Sequence, residues 1–294
     1  MLMQGHARDI MTGHDGAIEI LDEDMLTILA SPQREILEIV SQPDREMLSE
    51  LIGCRAGGHS RSVLAEVLRD EKAAGTPLYL LLDDFAGASL VAGWAWRNWV
   101  EDWGEQFRKN TASSVGKSRT MEGICAGFRP GASSLNPDGT AVQDIQSSAK
   151  VPALVNTNDP EGWHQLRKQD GVGMRRARRV DIWMDRLIHI DVGFQDSGTS
   201  PDDGRIAVHE YQVAATADPE SFELLSISVD PRILPYRECP AASPNASRLI
   251  GSKLTNMREE VLETLKGTAG CTHLNDVLRS MAEVPQLTKQ LVAE

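Results

Sequence analysis

The sequence predicts an α+β fold, with antiparallel β-sheets and packed helices arranged in two intimately associated parts. Three observations predict it: short apolar runs broken by Pro and Gly near the N-terminus, alternating runs after residue 179, and helical periodicity at the C-terminus. The boundaries read from these patterns are an N-terminal α+β part over 1–109, an irregular lid or linker over 110–159, and a C-terminal domain over 160–294.

In the first part, Ala17 to Leu21 reads as a short strand after the turn His14-Asp15-Gly16. Met25 to Leu29 and Ile36 to Val40 repeat the pattern, which suggests a small antiparallel meander. Ser60 to Arg69 places Val63, Leu64, Val67 and Leu68 on one helical face. Leu78 to Leu82 is continuously apolar and short, which predicts a buried strand ending at Asp83 and Asp84. From Ser89 to Trp103, the tryptophans Trp96, Trp99 and Trp103 recur at helical spacing.

Between Asn110 and Asp159 the pattern dissolves into Ser, Gly, Asn, Asp and Pro, a length of irregular chain that compact domains keep for lids, binding loops and linkers. Periodicity returns with Val180 to Met184, Leu187 to Val192, Val208 to Val213 and Leu224 to Val229, read as successive antiparallel strands. Pro231, Pro235 and Pro240 then keep the chain out of helix. Two helices close the sequence, roughly Ala246 to Lys266 and Thr272 to Leu291, separated by Gly267 and Gly270.

Charge and composition narrow the function. Of 294 residues, 43 are acidic and 30 basic, a net charge of −13 that repels nucleic acid and anionic membrane surfaces. No run approaches the roughly 20 apolar residues of a bilayer span. The N-terminus carries no export pattern, so a cytoplasmic location is expected. The four cysteines, Cys54, Cys125, Cys239 and Cys271, form no Cys-x-x-Cys pair and are read as reduced thiols.

Several segments carry a family likeness: Arg178-Arg179-Val180-Asp181, Ile188-His189-Ile190-Asp191, Val208-His209-Glu210-Tyr211, Leu234-Pro235-Tyr236-Arg237-Glu238-Cys239-Pro240, Leu249-Ile250-Gly251, and Gly270 to Arg279 with its Gly-Cys-Thr-His-Leu start. Together, over about Arg175 to Val284, they resemble the bacterial domain-of-unknown-function family 2889. Pro77 to Trp96 looks like the N-terminal portion of longer relatives. The resemblance supplies no catalytic residues. It implies a role in breakdown of aromatic compounds, including lignin-derived dimers, and for that class a cofactor-independent carbon–carbon lyase that releases formaldehyde from a phenylcoumaran.

Among residues that could carry such chemistry, His209-Glu210-Tyr211 leads, because in a strand His209 and Tyr211 share one face. His189 and Asp191 have the same spacing on the neighbouring strand. In-register pairing would gather His189, Asp191, His209 and Tyr211 as base, acid and orienting carboxylate, with His209 the principal base, Asp191 or Glu210 its orienter, and Tyr211 or His189 the proton donor. The alternative is a solvated sheet face. Two histidines and a carboxylate also suit a metal, but no third histidine has a supporting spacing, so neither metal nor cofactor is expected.

Cys271 at a helix start is either a nucleophile activated by the helix dipole or a packed thiol beside a Thr272 cap. For substrate binding the expectations are Asp84, Tyr236, Arg237 as an anion clamp, and Trp96 as a stacking surface. Gly116-Lys117-Ser118 lacks the upstream glycine of a phosphate loop, and Gly57-Gly58-His59-Ser60-Arg61 lacks the second glycine of a nucleophile elbow.

The expected partner is thus a small aromatic substrate, with no nucleic acid and no membrane, in a chain that forms a homodimer through its tryptophan face. Two rivals remain. One is an enzyme of CoA thioesters in steroid or aromatic degradation, using Arg175, Arg176, Arg178 and Arg179. The other is a non-catalytic binding or assembly protein.

Overall fold

The computed structural model describes residues 1–292 except 104, 106–119, 143–145, 164–165 and 203. The chain forms two compact units, one of Met1–Leu90 with Val155–Gln165 and Lys289–Glu294, the other of Val91–Leu154 with Leu166–Thr288. The architecture is α+β, as the sequence predicts, with an antiparallel three-stranded sheet and an antiparallel five-stranded sheet.

The first unit holds the meander β1 (Leu2–Thr12), β2 (Ile18–Ala30) and β3 (Ile36–Gln42), in that order across the sheet. The two apolar runs read as separate strands are one strand, β2, and Leu2–Thr12 is a strand that the sequence reading did not anticipate. Its side chains never become fully buried, so it has no strong alternation to read. Helices α1 (Gly58–Val67) and α2 (Arg69–Ala74) follow, and α2 stops at Gly75, whose φ of +66° suits glycine.

The expected strand at Leu78–Leu82 is instead the start of a long helix, α3 (Pro77–Trp99). Its entry explains the correction. Thr76 and Pro77 are a capping residue and a helix-starting proline, the Thr76 hydroxyl lies 3.4 Å from the Tyr79 N–H, and Asp24 accepts the Leu78 N–H at 3.0 Å. Leu78, Tyr79, Leu82 and Phe85 then bury against Leu26, Ile28, Leu48, Leu51 and Leu68. By length and composition alone α3, with 23 residues and an 18-residue window of mean hydropathy 1.2, is long and apolar enough to cross a bilayer, contrary to the expectation that no such run exists; 44% of that window is buried within the protein, and the helix carries Asp83 and Asp84 in its first half.

The second unit is built on β4 (Ala149–Lys150), β5 (Met174–Met184), β6 (Ile188–Ser200), β7 (Gly204–Ala217) and β8 (Leu224–Ile233). The order is β5-β6-β7, with β4 and β8 both pairing β7. Pro231 sits in β8, an edge strand whose one strand partner among the described residues is β7, a position that tolerates the missing N–H. One sheet face carries Ile188, Ile190, Val192, Phe194, Tyr211, Val213 and Ala215. Helices α4 (Met257–Thr264), α5 (Thr272–Arg279) and α6 (Val284–Val292) and the 3-10 segment Cys239–Leu249 supply the opposing apolar layer through Leu249, Met257, Val261, Leu274, Val277 and Leu278.

The helix expected from Ala246 begins only at Met257. Gly251, with φ +91°, donates its N–H to Leu224 O and Ser252 O accepts the Leu224 N–H, so residues 251–252 pair with the start of β8 instead of coiling. The described residues of 120–159 are largely irregular, and those up to Leu154 belong to the second unit: the Ala126 N–H donates to Gly270 O at 2.8 Å and the Tyr236 hydroxyl to Val142 O at 2.9 Å.

This packing makes a measurable claim. Phe194, fully buried between β7 and the arginines above it, should cost about 3–5 kcal/mol when cut to alanine. Val40, which is 61% exposed, should shift stability by less than about 0.5 kcal/mol. Urea denaturation of both variants gives the comparison, and equal effects would contradict the core assignment.

Candidate active site

The register of β6 with β7 decides which polar groups meet. From Ser200↔Gly204 to Ser197↔Ala207 the hairpin pairs regularly, then Val208 bulges and His209 comes to face Asp196. Beyond the bulge Gln195 faces Glu210, Phe194 faces Tyr211, and Val192 faces Val213. Directly opposed residues share a face, so Asp196 and His209 stand on the core side with Phe194 and Tyr211.

The convergence expected of His189, Asp191, His209 and Tyr211 does not occur. His189 pairs with Thr216 and lies seven residues along β6 from Asp196, roughly 23 Å at the rise of an extended strand. It stacks on Trp183 with ring centroids 5.2 Å apart and approaches Asp185 at 3.1 Å. Asp191 and Glu210 point to the other face of the sheet. There Asp191 accepts from Arg179 and Gln212, both at 2.6 Å, and Glu210 accepts from Gln195 at 2.8 Å with Arg232 at 3.5 Å.

The carboxylate beside His209 is Asp196, which the sequence reading missed. Asp196 is fully buried, and Arg176 of β5 donates to both of its oxygens, at 2.9 and 3.0 Å. The same guanidinium donates to Asp276 of α5 at 2.8 Å. Burial alone would raise the Asp196 carboxyl, but the charge and hydrogen bonds of Arg176, with His209 beside it, hold it well below the usual carboxylate range. The group is an ionised carboxylate in a dry setting.

His273, one residue into α5, completes the cluster. Its ring stacks on that of His209, with centroids 3.4 Å apart and planes within 18°. His209 Nδ1 lies 3.5 Å and His273 Nε2 3.8 Å from the same Asp196 oxygen, Oδ2, and neither nitrogen makes a hydrogen bond. Burial, then the neighbouring His209, push the His273 imidazole well below its ordinary pKa, with Asp196 opposing and Arg176 reinforcing, so His273 is neutral near pH 7. Asp196, His209 and His273 are also the three residues, among those described, whose donor atoms lie close enough together to hold a metal ion, all within 4.8 Å.

Tyr211 shares the core face but belongs to a second group. Its hydroxyl donates to Cys271 Sγ at 3.3 Å, and burial followed by the nearby Cys271, Cys239 and Cys125 raises it well above an ordinary phenol. Cys271 is itself the residue that caps α5, in place of Thr272, and makes no side-chain cap bond. The helix start does not activate it: burial raises the thiol more than the N–H groups of Leu274 and His273 lower it. Burial likewise pushes Cys125 up to about 11 and Cys239 up to about 12.

The residues expected to bind substrate are dispersed. Tyr236 packs on Phe128 and bonds Val142; Arg237 is largely exposed and reaches Ser133 and Glu238; Trp96 is 42% exposed and stacks on Trp103 at 4.8 Å. Asp84 lies in α3 within the other compact unit. Gly116-Lys117-Ser118 lies outside the described residues.

Two measurements follow. Replacing Arg176 with methionine leaves Asp196 and Asp276 buried without their shared cation, and should destabilise the second unit by about 3–5 kcal/mol in denaturant titration. A loss under about 1 kcal/mol would show that the pair is not carrying this charge. With a thiol-reactive disulfide at pH 8, Cys54 should label first. A pKa of about 11 at Cys125 leaves roughly a hundredfold less thiolate there than an ordinary cysteine has, so Cys125, Cys239 and Cys271 should react fast only after unfolding.

No curated protein and no solved structure matches this chain. Residues 174–286, which carry Arg176, Asp196, His209, Tyr211, Cys271, His273 and Asp276, match the model of a family described as "Protein of unknown function (DUF2889)".

Proposed function

We propose that the protein is an enzyme that acts by proton transfer on a small aromatic substrate, and that its reaction is cofactor-independent, formaldehyde-releasing cleavage of a hydroxymethylated phenylcoumaran. One observation carries the proton-transfer reading: two stacked imidazoles aim unbonded ring nitrogens at one buried, ionised carboxylate. The carboxylate favours the proton on His209 Nδ1, which leaves Nε2 as the base, the arrangement by which a carboxylate orients a catalytic histidine. His273, neutral beside it, is the second proton carrier. The aromatic substrate class rests on the family resemblance.

The reaction needs bases and an acid and no external oxidant. Removing the phenol proton sends electrons through the ring to break the benzylic carbon–oxygen bond, giving a quinone methide and a phenoxide. Removing the proton of the side-chain hydroxyl then forms the formaldehyde carbonyl and breaks the adjacent carbon–carbon bond. Its electron pair becomes the new alkene and restores the aromatic ring as a second phenoxide, and the two phenoxides take back the two protons removed to leave a stilbene.

The CoA-thioester rival loses support from the arginines. Arg176 and Arg178 face the core side, Arg176 on Asp196 and Asp276 and Arg178 over Phe194; Arg179 faces the other side on Asp191 and Leu154 O. They do not form one phosphate patch. The expected homodimer is retained as part of this reading, with Trp96 and Trp99, both more than a third exposed, as its contact face.

Incubating the full chain with a hydroxymethylated phenylcoumaran, and following formaldehyde and stilbene by mass spectrometry, tests the reaction. His209→Gln should keep the fold by circular dichroism and lower turnover about a hundredfold or more. His59→Gln, an exposed change in α1, should not alter it. Product formation that is unchanged in His209→Gln would sink the assignment.

A further inference from the structure

We propose that Asp196, His209 and His273 form a binding site for one divalent transition-metal ion, such as Zn²⁺, and that filling it blocks the proton transfer assigned to His209. Binding does not depend on that function; the block does.

The donor set is two imidazole nitrogens and one carboxylate oxygen, a mixture that suits zinc and its neighbours and does not suit calcium or magnesium. Asp196 Oδ2 lies 3.5 Å from His209 Nδ1 and 3.8 Å from His273 Nε2. Donors at about 2.0–2.2 Å from one tetrahedral ion are separated by roughly 3.4 Å, against a span within 4.8 Å for the three groups, so an ion would draw the donors together and tilt the two stacked rings apart to aim both lone pairs at it. His209 and Asp196 are more than nine-tenths buried, and both ring nitrogens that face Asp196 lack a hydrogen bond. Buried polar atoms without partners are rare in native proteins, and a ligand shared by all three groups accounts for both of them at once.

The surroundings resemble the outer shell of a metal site. Arg176 holds Asp196 in place by two hydrogen bonds while each carboxylate oxygen retains a further lone pair. The Thr272 hydroxyl lies 3.4 Å from His273 Nδ1 and can accept its proton, the tautomer in which the Nε2 lone pair faces Asp196 and a bound ion. A bound ion would take the lone pair of His209 Nδ1 in exchange for its proton and pin the ring. With three protein ligands, the fourth tetrahedral position is left to water.

The test uses the purified full chain, stripped with a chelator and dialysed, and titrated with Zn²⁺ by calorimetry and with Co²⁺ by visible absorption. The expected result is one ion per chain, visible bands of tetrahedral Co²⁺, and affinity weakened about a hundredfold or more in both His209→Gln and His273→Gln, each still folded by circular dichroism. His59→Gln should bind as the parent does. Turnover of the stripped protein should fall in proportion to zinc occupancy. Absence of binding, binding indifferent to both substitutions, or bound zinc that leaves turnover unchanged or raises it would overturn the inference. Stripped protein that binds zinc as described yet never turns over the phenylcoumaran would overturn the function proposed above and leave the metal site standing.

Discussion

The second unit depends on one guanidinium shared by two buried carboxylates. Arg176 on β5 reaches across to Asp196 on β6 and up to Asp276 on α5, with 4% of its side chain exposed. A buried carboxylate that lost its partner would cost several kcal/mol, so the three elements are fixed to one another by charge as well as by apolar packing. Phe194, beneath the guanidinium at 4.8 Å, fills the space that water would otherwise enter. Because α5 carries both Asp276 and His273, the bridge that docks the helix also sets the ring of His273 over that of His209.

Much of this architecture is legible in the sequence. Alternation finds β5 to β8, and the Leu274, Val277, Leu278 and Met281 stripe finds the helical layer above them. At Leu78–Leu82 the length of the apolar run points to a strand, whereas Thr76-Pro77 marks the helix start that forms. Asp196 lay beyond the same method. Without the bulge at Val208, the regular hairpin would set Asp196 against Val208 and turn Glu210 toward Phe194 and the core. A bulge leaves no dependable local signature, so the partner of His209 cannot be counted out from the turn.

His273 was missed for a different reason. A Cys-Thr-His stretch at a helix start reads as local capping, and no spacing ties it to a strand some sixty residues earlier; Tyr211 and Cys271 meet across the same separation. Such contacts arise from docking the helix on the sheet, which periodicity predicts only as a face against a face. The candidate site therefore assembles from a strand residue the sequence singled out, a strand residue hidden by a bulge, and a helix residue with an ordinary local role.

Alternation along β7 also separates residues that adjacency had grouped. His209 and Tyr211 share a face, yet Tyr211 lies deep among Cys271, Cys239 and Cys125, where burial first and those thiols second raise its phenol well above the ordinary value and make it a poor proton donor. Glu210, between them, is on the opposite face and satisfied by Gln195. On the proton-transfer reading, the ring that accompanies His209 is thus His273, which is held neutral against it and serves as a second base, and the neighbouring tyrosine takes no part. What distinguishes His209 from the equally strand-borne His189 is the fixed negative charge of Asp196: His189 has only the exposed Asp185, whose charge water screens, whereas Asp196 acts in a setting where little solvent is left to oppose it.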